Sequence, residues 1–394
     1  MRRFRNIYIL AFAFVALVGC SKEPQQPNVE VDNIPSGPIM EFGINLDTRA
    51  EIIPGGEGTI LDKLGLYGYQ YANQTDSEWT WAQTTALPNV FNNTPEPLTY
   101  DSSGRYYNAS DTYTWTGNKY AFFAYYPFEH TSFECSPNTE PGTPYLTYTL
   151  DRSDVENMAD IMSSARTNLT SVNRYVTFHM IHRLSAVDVD VCNIYQHDET
   201  VDGVTTYYGV DIEIHTLVLK FSNLHNDKSK IYLDARGHSE ATESTGDKTA
   251  TYQFVQSTDP ITVEYKANDD DPNYTLTEKH DLTMFFIPQE EKDLAVSVDV
   301  TFKKKLSGSD TYLTNNDKVY TYDNDGVVTN EANAEGYGTE FFYVRDKSVN
   351  FEQDLEEGYR YFVTLNFTSA AVSINIVTAT QWQDTKDDII HGFD

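Results

Sequence analysis

The sequence predicts an all-β protein made of two sandwiches. Three observations carry that prediction. β-Branched residues are frequent, and Tyr (28) and Phe (21) far outnumber Trp (4), a bias suited to pleated, half-buried strands. Apolar residues alternate in short runs separated by turn residues. No long amphipathic helical pattern interrupts them. At 394 residues, 40% of them apolar, the chain is long enough for two cores.

The first twenty residues have the layout of an export signal. Arg2, Arg3 and Arg5 precede the apolar run Ile7 to Val18, which leads to Leu17-Val18-Gly19-Cys20. The run is short for a membrane span. The ending resembles a bacterial lipobox, which implies acylation at Cys20 and removal of residues 1–19. Residues 20–37 are rich in Pro, Gln, Asn and Glu and read as a flexible linker.

The opening strand follows. Met40, Phe42, Ile44 and Leu46 alternate with Glu41, Gly43, Asn45 and Asp47, the period of a half-buried strand. Behind it stands Arg49-Ala50, a bond suited to an arginine-specific protease; an uncut loop arginine is the other reading. Four buried side chains at about 1.5–3 kcal/mol each amount to about 6–12 kcal/mol. That is comparable with the whole stability of a domain, about 5–15 kcal/mol.

Further strands are expected at 59–72 and at Tyr120 to Phe128, the latter stopped by Pro127. Asp154 to Arg166 has mild helical spacing and reads as a loop or short helix. In the stretch 176–191, Val176, Phe178 and Met180 alternate on one parity and Val187, Val189 and Val191 on the other. The phase flips across His182-Arg183-Leu184-Ser185, which predicts a bulge or a crossing between sheets. Strands follow at 210–224, 231–233, 251–255, 261–265, 281–287 and 296–302. The chain closes with Tyr359 to Phe367 and then Val372, Ile374 and Ile376, running to Trp382. The stretches 237–248, 268–273 and 315–338 read as polar loops. The sandwiches are expected over 38–174 and 175–394.

The formal charge is −31, and loss of the leader makes the chain more acidic still. Such a field repels phosphate backbones, so nucleic acid is not an expected partner. Beyond Cys20, only Cys135 and Cys192 remain; they could pair or stay as two thiols. His179 and His182 are three apart, which on a strand points them to opposite faces, so no metal pair is expected. Asp269-Asp270-Asp271 and Asp323-Asn324-Asp325-Gly326 could hold calcium through oxygens. The glycine comes too early for a helix–loop–helix calcium site, and solvated turns are the simpler reading. No catalytic motif is present, so neither enzyme activity nor a cofactor is expected.

Several segments taken together resemble the fimbrillin (Mfa-like) family of type V pilus lipoproteins. They are the lipobox at Cys20, the first strand closing on Thr48-Arg49-Ala50, Phe122 to Phe128, and Asp160-Ile-Met-Ser-Ser-Ala165. Phe178 to Ser185, Phe285-Phe-Ile-Pro-Gln289 and Gly358-Tyr-Arg-Tyr361 complete the set. The resemblance implies two transthyretin-like β-sandwich domains, lipoprotein export to the outer membrane, and assembly into a surface fimbria. It implies cleavage at Arg49-Ala50, loss of the first strand, and donor-strand exchange. The donor would be the C-terminal segment with Val372, Ile374, Ile376 and Trp382. Partners would be other pilus subunits, in a homo- or heteropolymer, and a host or bacterial surface ligand. The alternative is a surface-tethered glycan-binding lipoprotein in which Trp79, Trp81 or Trp115 stacks on sugar rings.

Overall fold

The structure, a computed structural model, describes residues 38–45, 61–71, 79–80, 85–101, 106–266, 274–275, 283–290, 293–313, 319–322, 328–332, 341–369 and 372–381. Its first strands are β1 (Glu41–Asn45), β2 (Lys63–Tyr71), β3 (Glu96–Asp101), β4 (Tyr106–Asn108), β5 (Lys119–Tyr126), β6 (Phe133–Cys135), β7 (Tyr145–Thr149), β8 (Met162–Leu169), β9 (Tyr175–His179) and β10 (Ile181–His182). Next come β11 (Ser185–Asn193), β12 (Gln196–Val201), β13 (Val204–Ser222), β14 (Asn226–Tyr232), β15 (Ser239–Glu243), β16 (Ala250–Val255), β17 (Ile261–Val263) and β18 (Tyr274–Thr275). The last are β19 (Met284–Phe286), β20 (Ala295–Leu306), β21 (Val319–Tyr322), β22 (Val328–Ala332), β23 (Phe341–Asn350), β24 (Tyr359–Phe367) and β25 (Val372–Gln381).

The all-β expectation agrees with this architecture. The stretch 154–166 differs from its mild helical spacing: a 3₁₀ turn at Val155–Asn157, capped by Asp154, gives way to strand β8. Two of the expected loops also contain strands. Residues 237–248 include β15, and 315–338 include the β21–β22 hairpin. β15 (SEATE) and β22 (VTNEA) have little apolar content to mark them as strands, and β21 (VYTY) is only four residues long.

Eight strands form one sheet in the order β10-β8-β5-β2-β3-β4-β1-β9. β9 and β10 stand at its two ends yet are joined through Met180, so the sheet curls back on itself. The phase flip lies here. Val176, Phe178 and Met180 enter a smaller core, whereas Val187, Val189 and Val191 on β11 enter a larger one.

β2 and β5 form a wall between these two cores. On β5, Tyr120, Phe122 and Ala124 face the smaller core, and Ala121, Phe123 and Tyr125 face the larger. On β2 the split is Leu64 and Leu66 against Tyr67 and Tyr69. Burial on both faces is why the run from Tyr120 to Tyr126 shows no polar alternation. Aromatic rings lie directly on the β2 backbone: a Cβ on Gly65 would stand 2.1 Å from the Tyr125 ring.

Strand pairing crosses the expected boundary at 174/175 in both directions. β9 pairs with β1, while β6 and β7 join β14 and β15 in a four-stranded sheet. The larger core accordingly draws on both segments. β11, buried along its whole length, pairs with β24 in parallel and with β18 and β19 antiparallel. The long strand β13 pairs with β12, β16, β17 and β20.

Gly65→Ala is expected to destabilise the protein by about 1–3 kcal/mol through overpacking, read as a lower urea midpoint. Combining it with Tyr125→Val, which vacates the space, should cost less than the two single changes together.

Candidate assembly site

β1 lies inside the curled sheet. It runs parallel to β9, with Glu41 opposite Tyr175 and Asn45 opposite His179, and antiparallel to β4, with Phe42 opposite Tyr107. Backbone bonds extend the seam beyond the strand. The Met40 amide donates to the Tyr113 carbonyl at 2.9 Å, Trp115 to Pro38 at 2.9 Å, and Glu41 to Arg174 at 3.3 Å. Met40 and Phe42 are buried, and Ile44 is half-buried against the same core. The Phe42 ring meets Phe122 edge-on at 5.5 Å, Phe91 at 6.3 Å, and stacks on Phe178 at 6.4 Å. Such ring pairs add to area burial.

Withdrawing β1 would uncover β4 and β9 together, each with a row of free amides and carbonyls. A replacement would have to run parallel to β9 and antiparallel to β4. It would also have to offer apolar side chains at alternate positions. Leu46, Arg49, Ala50 and Cys20 lie outside the described residues.

The C-terminal candidates carry such alternation. Val372, Ile374 and Ile376 lie on β25, which pairs antiparallel with β24 and ends the strand order β18-β11-β24-β25. Ile374 is buried, and Val372 and Ile376 pack half-buried against the larger core. In this chain the strand is therefore docked on its own body. Trp382 lies outside the described residues.

Three of the motifs singled out in the sequence meet at Arg183. Its guanidinium is buried and donates to Ser163 Oγ at 2.6 Å, Glu357 Oε1 at 2.7 Å and the Asp234 carbonyl at 2.9 Å. Alongside, His182 Nδ1 pairs with Asp160 at 2.8 Å, and Ser185 Oγ donates to the Glu356 carbonyl at 2.7 Å. Gly237, at φ +66°, leaves room for this arginine, since a Cβ there would stand 2.1 Å from Nη1. Gly358, at φ +72°, turns the chain into β24 and donates its amide to Leu184. These bonds clasp β8, the β10–β11 junction and the start of β24. Sequence spacing could not show that the motifs converge; the available signal was the phase flip across His182-Arg183-Leu184-Ser185.

Burial pushes the Glu357 carboxyl above its ordinary value of 4.5, and the neighbouring Arg183 offsets this only in part. One step on, Arg360 Nε forms an ion pair at 2.6 Å with Oδ2 of the buried Asp188, whose other oxygen accepts from Thr283 Oγ1.

Two of the three tryptophans are core residues and form no glycan platform. Trp79 is buried on Tyr69 and Phe123, and Trp115 on Tyr120 and Phe122. Trp81 lies outside the described residues, as do 269–271 and 323–326. Cys135 is a thiol 3.2 Å from the Tyr125 hydroxyl, and Cys192 is a buried thiol on β11, so they do not pair with each other. An open hollow of about 520 Å³ is lined by Thr131, Ser132, Thr149, Asp151, Arg152 and Asn157. Its arginine is already engaged with Asp227 and the Leu224 and Thr249 carbonyls.

No family model and no curated protein matches the sequence. Among solved structures, a fimbrial protein from Bacteroides vulgatus superposes with a TM-score of 0.57, covering 88% of this chain and 100% of that one at 15% identity. The fold is that of a fimbrial protein. It agrees with the fimbrillin resemblance read from the motifs. A candidate cell adhesion protein from Bacteroides uniformis aligns over 88% of this chain and 98% of its own at 13% identity. One from Bacteroides ovatus aligns over 89% and 99% at 12%. Both superpose more loosely, with TM-scores of 0.43, so the fimbrial fold rests on the first.

Phe42→Ala is expected to cost about 3–5 kcal/mol in denaturant unfolding, and Ile44→Ala, at a half-buried position, distinctly less. The raised Glu357 carboxyl holds its proton more tightly in the folded state, so its contribution to stability is present at low pH. That contribution is lost as pH rises above 4.5. Unfolding curves across this range should show the slope, and Glu357→Gln should flatten it.

Proposed function

We propose that this chain is a non-enzymatic structural or adhesive subunit of a surface pilus, exported as a lipoprotein through Cys20 and assembled by strand exchange. An arginine-specific protease cuts Arg49-Ala50, β1 leaves, and the C-terminal strand of another subunit enters between β4 and β9. Val372, Ile374, Ile376 and Trp382 are the incoming side chains. The observation that carries this reading is the position of β1, an interior strand close to the chain start with Met40 and Phe42 in the core. The shared fimbrial fold supports it.

The energetics fit. Two buried side chains at about 1.5–3 kcal/mol each contribute about 3–6 kcal/mol, before Ile44 and the backbone bonds are counted. A domain holds about 5–15 kcal/mol in all. The uncut chain is thus stable enough for transport, and the cut chain needs refilling. Head-to-tail refilling does not close on itself and yields a filament.

The test is intact mass and N-terminal sequencing of the surface-exposed protein in assembled material. An N-terminus at Ala50 is expected, and Arg49→Ala should leave monomers that retain residues 20–49. Assembled filaments whose every subunit begins at an acylated Cys20 would overturn strand removal.

A further inference from the structure

Nine large apolar residues are exposed among the described ones, and seven of them fall in two patches. The first patch is the β12–β13 hairpin, with Val201, Val204, Tyr207 and Tyr208 between 40% and 67% exposed. Asp202 and Gly203, both at positive φ, make its two-residue turn. Its base is pinned where the Val210 amide donates to Tyr195 and where Gly209 lies against the Tyr265 ring. Among the described residues, no other strand pairs with β12 or with Val204 to Tyr208. A two-stranded ribbon standing alone in water is marginal, and this one buries no apolar side chain near its tip.

The second patch surrounds the β8–β9 turn. Val172 is 88% exposed, Tyr175 57% and Ile39 37%. This turn is firmly built: the Asn173 amide donates to the Thr170 carbonyl, and the Thr170 amide to Asn173 Oδ1. It presents Val172 on a fixed tip.

The segments that carry the two patches differ in charge, Arg166 standing within β8 opposite Phe122. Residues 196–209 include Asp198, Glu199 and Asp202 and no Lys or Arg. Residues 166–175 include Arg166 and Arg174 and no acid, although Glu41 stands across from Tyr175 on β1. A basic segment is notable in a chain of net charge −31. Along the chain, the β8–β9 turn precedes the β9–β10–β11 run and the β12–β13 hairpin follows it.

We infer that the β12–β13 hairpin of one copy docks on the β8–β9 turn of a second copy of this chain. Val201, Val204 and Tyr207 meet Val172 and Tyr175, and the hairpin acids face Arg166 and Arg174. Each copy offers one hairpin and one turn, so the contact is heterologous and repeats end to end. Val172, Tyr175 and both arginines lie outside β1; strand removal takes Ile39 and the Glu41 pairing from the patch but leaves these four in the chain.

The test uses the full chain carrying Arg49→Ala, in which strand exchange through cleavage is blocked. Sedimentation at physiological salt should show concentration-dependent self-association. Asp198→Lys with Asp202→Lys should weaken it about tenfold or more, because like charges then face each other. Arg166→Glu with Arg174→Glu should do the same. Combining all four restores complementarity at unchanged net charge and should restore association. As a second measurement, Val204→Cys chains mixed with Val172→Cys chains should form a disulfide-linked dimer absent when either is incubated alone. Monomers at every concentration, failure of the fourfold exchange to rescue, or no mixed dimer would overturn the contact. N-terminal sequencing reads the strand-removal proposal separately, so the two can fail independently.

Discussion

The seating of β1 between β4 and β9 is the constraint on which the N-terminal half depends. A sheet that curls back on itself hides its edges only while every strand is in place. β1 joins an antiparallel neighbour on one side to a parallel one on the other. It also delivers Phe42 to a cluster of rings drawn from β5, β9 and the chain before β3. Backbone pairing and side-chain burial thus coincide in one short segment near the chain start. That combination makes the segment both necessary to the fold and separable from it.

The halves are joined less by a linker than by shared structure. β7 pairs with β14 across the expected boundary, and the Arg183 guanidinium ties β8 to the approach to β24. A buried arginine is costly unless its donors are used. Here a hydroxyl, a carboxylate and a carbonyl take them up. Two glycines at positive φ complete the arrangement, one clearing space for the guanidinium and the other turning the chain.

What was legible in the sequence was local. The alternation of Met40, Phe42 and Ile44 and the phase flip near His182 follow from the two-residue strand period, so both could be read directly. β8 could not, because five of its eight residues are polar: Ser163 serves Arg183, and Asn168 accepts from Tyr71 and Trp79. The burial of Trp79 and Trp115 depends on rings far away in the chain, and neither composition nor spacing reports it. β12 was hidden for another reason. Its residues are exposed on both faces, so it lacks the alternation that burial imposes.

The wall formed by β2 and β5 has a bearing on any trimming of the molecule. Met40, Phe42 and Ile44 touch only the smaller of the cores it separates. Phe123, Tyr125 and the β11–β24 pair lie beyond it. Injury at the chain start is therefore quarantined behind a bulkhead of aromatic residues, leaving the far compartment watertight while the near one lies open.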